Sequence, residues 1–184
     1  MTVEITQEHV RVFNDGRALR NILRPEVEEL GAIPDLSKLR VERIVASDVL
    51  QRLQDPLRFM EELWELASPS AYLAMTVPHG AAEVAWEDPR NLRPVFPGSF
   101  GVFSAPAHEN KPELLYSADW RIESITFAVP EVIIAGRQLP EVMADAMKYR
   151  NQIVRMTALM VAVKPARPQK LELLEQPTLE VEQV

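Results

Sequence analysis

The densest set of chemically capable side chains is Glu87, Asp88, Arg90, Asn91 and Arg93, where two carboxylates and two guanidiniums share one short stretch. Such a group could bind a polar substrate, or a divalent cation through its carboxylates. Adjacent carboxylates point apart on most backbones, so a loop-internal ion pair is the preferred expectation and no metal site is expected. Trp86 and Phe100 flank this group and could line a pocket or a partner interface, or pack the loop onto a sheet. His9, His79 and His108 are far apart and lack i,i+4 or carboxylate-paired spacing, so they indicate neither a zinc site nor a catalytic base. His79 is the one near the expected cleft. Asp15, in the cluster Asn14-Asp15-Gly16, could hydrogen-bond ribose hydroxyls at a strand end, although a turn-forming role is simpler. Ser47 and Asp48 stand at another strand end, where a ligand would lie; capping the turn that begins at Val49 is the preferred role. The absence of cysteine excludes disulfides, thiolate zinc sites and cysteine nucleophiles. No G-x-S-x-G, P-loop or G-x-G-x-x-G motif is present, which removes the common hydrolase, kinase and dinucleotide readings.

These side chains need elements to position them. Val10 to Phe13 reads as a strand entering the Asn14-Asp15-Gly16 turn, and Arg17 to Leu23 and Pro25 to Leu30 as short helical pieces. Val41 to Ala46 is a β-branched strand. From Asp55-Pro56, the apolar residues Leu57, Met60, Leu63, Trp64 and Ala67 recur at helical spacing, with Asp55 as N-cap and Pro56 at the first position. Ala71 to Val77 is nearly all apolar, as a parallel strand buried on both faces would be. Residues 41–77 therefore form one βαβ unit. Residues 80–112 are an irregular insertion rich in Pro, Gly and polar residues, followed by a strand at Trp120 to Val129, a helix at Pro140 to Arg150 and a strand at Ile153 to Val163. The expected domain is residues 1–165, and the polar, acidic segment 166–184 reads by composition as a flexible C-terminal tail.

The chain has 184 residues, 47% of them hydrophobic, enough for one core. Its net charge of −7 and the lack of a Lys/Arg cluster argue against nucleic-acid binding. No apolar run approaches the roughly 18 residues of a membrane span, and the first residues lack the pattern of a secretory signal, so no membrane association is expected and the cytoplasm is the simplest location.

Ordered motifs add a family resemblance. Arg43-Ile-Val-Ala-Ser-Asp-Val-Leu-Gln-Arg-Leu53, with Asp55-Pro56, resembles the fourth strand and following helix of class I S-adenosylmethionine-dependent methyltransferases. Glu87-Asp-Pro-Arg-Asn-Leu-Arg93 with Phe96 and Phe100 is similar to the loop after their fifth strand, and Tyr149-Arg-Asn151 with Val161 to Pro165 to their last, antiparallel strand. The departures concern the cofactor. The family places a turn of the type D-x-G-x-G-x-G after its first strand, so that backbone approaches the cofactor without a Cβ in the way. Here no two glycines stand two residues apart, and the first forty residues are too few for the family's first three strands and their helix. Pro69-Ser70-Ala71 replaces a Pro-Gly-Gly turn, Asp48 replaces a histidine, Gln51-Arg52 replaces Glu-His, and Asn91 replaces the loop histidine.

The resemblance implies an α/β fold: a shortened Rossmann-like methyltransferase sheet, mostly parallel, with an antiparallel C-terminal edge strand. Asp15, Ser47 and Asp48 are its candidate cofactor contacts; His79, Trp86, Glu87, Asp88, Arg90, Asn91, Arg93 and Phe100 form its substrate or partner loop. The expected function is that of a degenerate methyltransferase-like domain without cofactor, serving as a structural or interaction component of a larger assembly such as a virion or other multi-subunit particle, through a protein partner or self-association. The alternative is an active methyltransferase using S-adenosylmethionine in an atypical or partner-supplied site.

Overall fold

The βαβ unit over residues 41–78 folds as its pattern requires in a computed structural model, which describes residues 1–6, 9–14, 17–23, 40–111 and 115–184. Strand β4 (Val41–Ser47) leads through a 3-10 turn at Leu50–Arg52 into helix α1 (Pro56–Leu66), whose N-cap Asp55 accepts a 3.0 Å hydrogen bond from the backbone N–H of Arg58. Phe59, Met60, Leu63 and Leu66 are the buried stripe of α1. The helix gives way to β5 (Ala67–Pro78), parallel to β4. At Ser70 the backbone takes φ 63°, a left-handed conformation that favours glycine, where the family resemblance has glycine.

Before this unit lie β1 (Thr2–Ile5), β2 (His9–Asn14) and β3 (Arg17–Leu23). β1 pairs parallel with β4, but both the β1–β2 and β2–β3 steps are antiparallel. Arg17–Leu23, expected as helix, is therefore a strand: pairing with β2, from Asn14↔Arg17 to His9↔Leu23, overrides its local helical preference. The expected helix at residues 25–30 lies outside the described residues.

After the unit come α2 (Val84–Glu87), β6 (Trp120–Val129), α3 (Glu131–Ile134), α4 (Leu139–Ala146) and β7 (Arg155–Ala162). The helix read over 140–150 is thus shorter at its end and is preceded by a second turn of helix. β7 runs antiparallel between β5 and β6. The sheet order is β3-β2-β1-β4-β5-β7-β6-β8, where β8 is Thr178–Gln183, and β1, β4 and β5 pair parallel at its centre. The last strand, β8 (Thr178–Gln183), pairs parallel with β6 and comes from the segment that composition marks as a tail.

One face of the sheet carries the core: Ile44, Leu73, Met75, Met160, Trp120 and Phe127 lie with the buried stripe of α1. The indole N–H of Trp120 donates to the Met60 carbonyl at 3.0 Å, which fixes α1 across the sheet. β5, expected to be buried on both faces, buries Ala71, Leu73, Met75 and Val77, while Tyr72 is 50% exposed and Ala74 and Thr76 are half-buried.

Candidate functional site

The candidate residues collect where β4 and β5 end. Ser47, half-buried, closes β4 beside Thr76 of β5. Asp48 follows with φ 57°, a conformation Asp tolerates better than most residues, and its N–H donates to the Thr76 carbonyl at 2.9 Å. Val49 stands at the N-cap of the 3-10 turn without a side-chain cap hydrogen bond, and the Asp48 carboxylate is ion-paired with Arg155, the first residue of β7. A returning antiparallel strand brings a cation to the carboxyl end of the parallel strands, and an ion pair satisfies the carboxylate more fully than one backbone N–H.

His79 follows β5 and is buried. Its Nδ1 accepts from the N–H of Ala81 at 3.3 Å, and its ring meets the edge of Phe96, with centroids 5.4 Å apart. Burial holds its pKa below the ordinary histidine value, so the ring is neutral at physiological pH. The loop beyond it is pinned at four places. The indole N–H of Trp86 donates to the Gly80 carbonyl at 2.9 Å, Gly80 N–H donates to Val95 O at 2.7 Å, and Glu83 N–H donates to the Asn151 side chain at 2.7 Å. The carbonyl of Gln51 accepts from Leu92 N–H at 2.8 Å.

The acidic and basic group of the loop is realised as an ion-pair network that reaches outside it. Asp88 is ion-paired with Arg52 on the 3-10 turn and with Arg90, whose Nη2 lies 2.8 Å away. Hydrogen bonds from the Arg90 side chain and backbone, with the nearby Arg52 charge, hold the Asp88 carboxyl well below the usual carboxylate range. Arg52 Nε also donates to Asn91 Oδ1 at 3.2 Å, while Asn91 Nδ2 donates to the Ala85 carbonyl at 3.0 Å. Arg93 Nη2 reaches the Gln54 carbonyl at 3.3 Å, and Arg93 borders an apolar hollow of about 280 Å³ with Leu50, Leu57, Val95 and Phe103. Glu87 ends α2 at the surface. Both Asp88 oxygens therefore face guanidinium groups, and among the described residues no group of three or more His, Asp or Glu is placed to hold a metal ion.

The two loop aromatics separate. Trp86 is 55% exposed, whereas Phe100, in a 3-10 turn at Pro97–Phe103, is fully buried in the core. Asp15 lies outside the described residues. β1 ends at Ile5 and pairs back through Ile5↔Val10 to the antiparallel β2, with no glycine between Ile5 and Asn14 in the sequence.

No family model matches the chain, and no curated protein matches it. Solved structures do. The chain is similar to a SAM-dependent methyltransferase from Archaeoglobus fulgidus, with 15% identity and a TM-score of 0.48 over 81% of this chain and 70% of that one. It is also similar to a 16S rRNA adenine methyltransferase from Catenulisporales acidiphilia (13% identity, TM-score 0.38, 72% of this chain and 61% of that one) and to an S-adenosylmethionine-dependent methyltransferase from Mesorhizobium loti (14% identity, TM-score 0.34, 69% and 67%). The chain spans between 56% and 70% of the length of such structures.

Sequence reasoning missed Arg155, Asn151 and the anchoring role of Arg52. Arg155 meets Asp48 only because β7 inserts next to β5 with Pro78↔Arg155 in register, a relation no local pattern carries. Arg52 had a visible signal: it stands next to Gln51 where the resemblance has a Glu-His pair, and a charge change there invites an acidic partner.

Proposed function

We propose that this chain is a methyltransferase-like domain that has lost cofactor binding and serves as a structural or interaction component of a larger assembly, such as a multi-subunit particle formed in the cytoplasm. The observation that carries this reading is the antiparallel return from β1 to β2. In a nucleotide-binding α/β sheet the ligand lies outside the carboxyl end of the first strand, on a glycine-rich turn and the N-terminus of the helix that follows. A hairpin at that place supplies neither close backbone approach nor a helix N-terminus. Asp48, the remaining cofactor-side acid among the described residues, is ion-paired with Arg155.

A thermal-shift measurement on the full chain tests the reading. A ligand that binds only the folded state raises stability by about 2.7 kcal/mol at a hundredfold excess over its dissociation constant. No rise in Tm with about 1 mM S-adenosylmethionine or S-adenosylhomocysteine is the expected result, and a rise of several degrees overturns it.

The second reading, an active methyltransferase whose cofactor half comes from a partner, is favoured by the loop after β5, which is kept and anchored by Arg52 to Asp88 and Asn91. Methyl transfer appearing only when a partner subunit is added would select it.

A further inference from the structure

The sheet ends at β8, which has β6 on one side and, among the described residues, no strand on the other. A row of backbone N–H and C=O groups at a sheet edge is a template for one more strand, and folded proteins usually blunt it with Lys, Pro, a bulge or a very short strand. Thr178–Gln183 has six residues, none of them Lys or Pro, and pairs with β6 without a register shift.

The two faces of this edge differ. Leu179 and Val181 stand beside Ile125 and Phe127 on the core side, and Leu179 is 44% exposed. An apolar hollow of about 240 Å³ adjoins Leu179, walled also by Pro97, Ile122, Ile125, Leu174 and Pro177. Glu180 and Glu182 are exposed on the opposite face, beside Thr126 and Ala128. The Thr126 hydroxyl donates to Glu180 at 3.1 Å. The nearby cations are engaged elsewhere: Arg155, across Ala128 from Glu182, is ion-paired with Asp48, and Arg121 with Glu123 and Glu175.

We propose that β8 takes an extended segment of a partner protein as one further strand of the sheet, with an apolar side chain opposite Leu179 beside the hollow and Lys or Arg opposite Glu180 and Glu182. Cross-strand neighbours share a face and successive residues switch face, so a segment that alternates apolar and basic residues meets both requirements in one register. A second copy of β8 is disfavoured by its own charge. Antiparallel self-pairing about a two-fold centred on Glu180 sets Glu180 opposite Glu180, and centred on Val181 it sets Glu180 opposite Glu182. These registers use most of the strand, and like charges directly opposite are destabilising. The proposal rests on the reading of this chain as an interaction component, and it gives that reading a surface and a partner class.

Fluorescence anisotropy of a labelled synthetic peptide that alternates Lys with Leu and Phe, titrated with the full chain at physiological salt, tests it. Saturable binding with a dissociation constant of about 100 μM or tighter is expected. Glu180→Lys combined with Glu182→Lys should weaken it about tenfold or more, and a peptide with Glu in place of Lys should recover most of that loss on the double variant. Both glutamates are exposed, so the double variant should keep the wild-type thermal midpoint within a few degrees. Two peptides N-methylated at alternate residues, one on each edge, separate strand addition from charge attraction alone: one should bind as before and the other should lose binding. No saturable binding up to about 1 mM, equal binding by both methylated peptides, or indifference to the glutamate changes overturns the proposal. S-adenosylmethionine binding by a chain that still takes the peptide would instead remove the non-enzymatic reading and leave this edge standing.

Discussion

Arg167 clasps the fully buried carboxylate of Asp119 with two of its N–H groups, Nε to Oδ2 at 2.8 Å and Nη2 to Oδ1 at 2.9 Å. Its remaining donors reach Ser104 Oγ, the Leu173 carbonyl and Glu175, so all five are used. Asp119 also accepts backbone N–H groups from Ala105 and Arg167 itself. One ion pair thus ties the charged C-terminal segment to the body of the domain and delivers the chain to β8.

Removing the guanidinium leaves a buried carboxylate without its countercharge, a change that costs on the order of 3 kcal/mol. Arg167→Ala is therefore expected to lower the urea midpoint sharply and to make the chain beyond Pro165 sensitive to protease. Arg167→Lys, which keeps the charge but not the fork, should fall between.

Much of the fold was legible because it is local. Asp55-Pro56 and the apolar spacing after it specify α1, and the alternation of Trp120 to Val129 specifies β6. Asp55→Ala should cost about 1 kcal/mol in chemical denaturation through loss of the cap. The segment 166–184 was misread as a tail because the forces ordering it are not local. Arg167 and Asp119 are brought together from different parts of the chain, and β8 is held by β6 rather than by its own apolar content. Arg17–Leu23 failed for the same reason, since only its pairing with β2 makes it a strand. Of the site, the carboxylate and guanidinium cluster was legible in sequence, but its outward link from Asp88 to Arg52 needed the fold.

Buried His79 makes stability depend on pH. Its folded pKa lies below the unfolded value of about 6.5, so the folded state binds fewer protons than the unfolded chain at mildly acidic pH. The contribution is intact above about pH 6.5 and is lost as pH falls from there toward the folded pKa. Urea midpoints measured across this range should decline for the wild type and decline less for His79→Gln. Equal slopes would remove the assignment.

Ser70 adopts a left-handed backbone that costs an L-residue about 1 kcal/mol, partly offset by its stiffer unfolded chain. Ser70→Gly is accordingly expected to stabilise the protein by a few tenths of a kcal/mol, and Ser70→Val to destabilise it by more than 1. Differential scanning calorimetry resolves both signs.

Isothermal titration of the full chain with S-adenosylmethionine bears most directly on the loss of the cofactor site. The hairpin from β1 to β2 predicts no saturable heat up to about 1 mM ligand. A single-site isotherm with a dissociation constant of about 10 μM or tighter would contradict it, because that affinity requires a cofactor cradle in this chain alone.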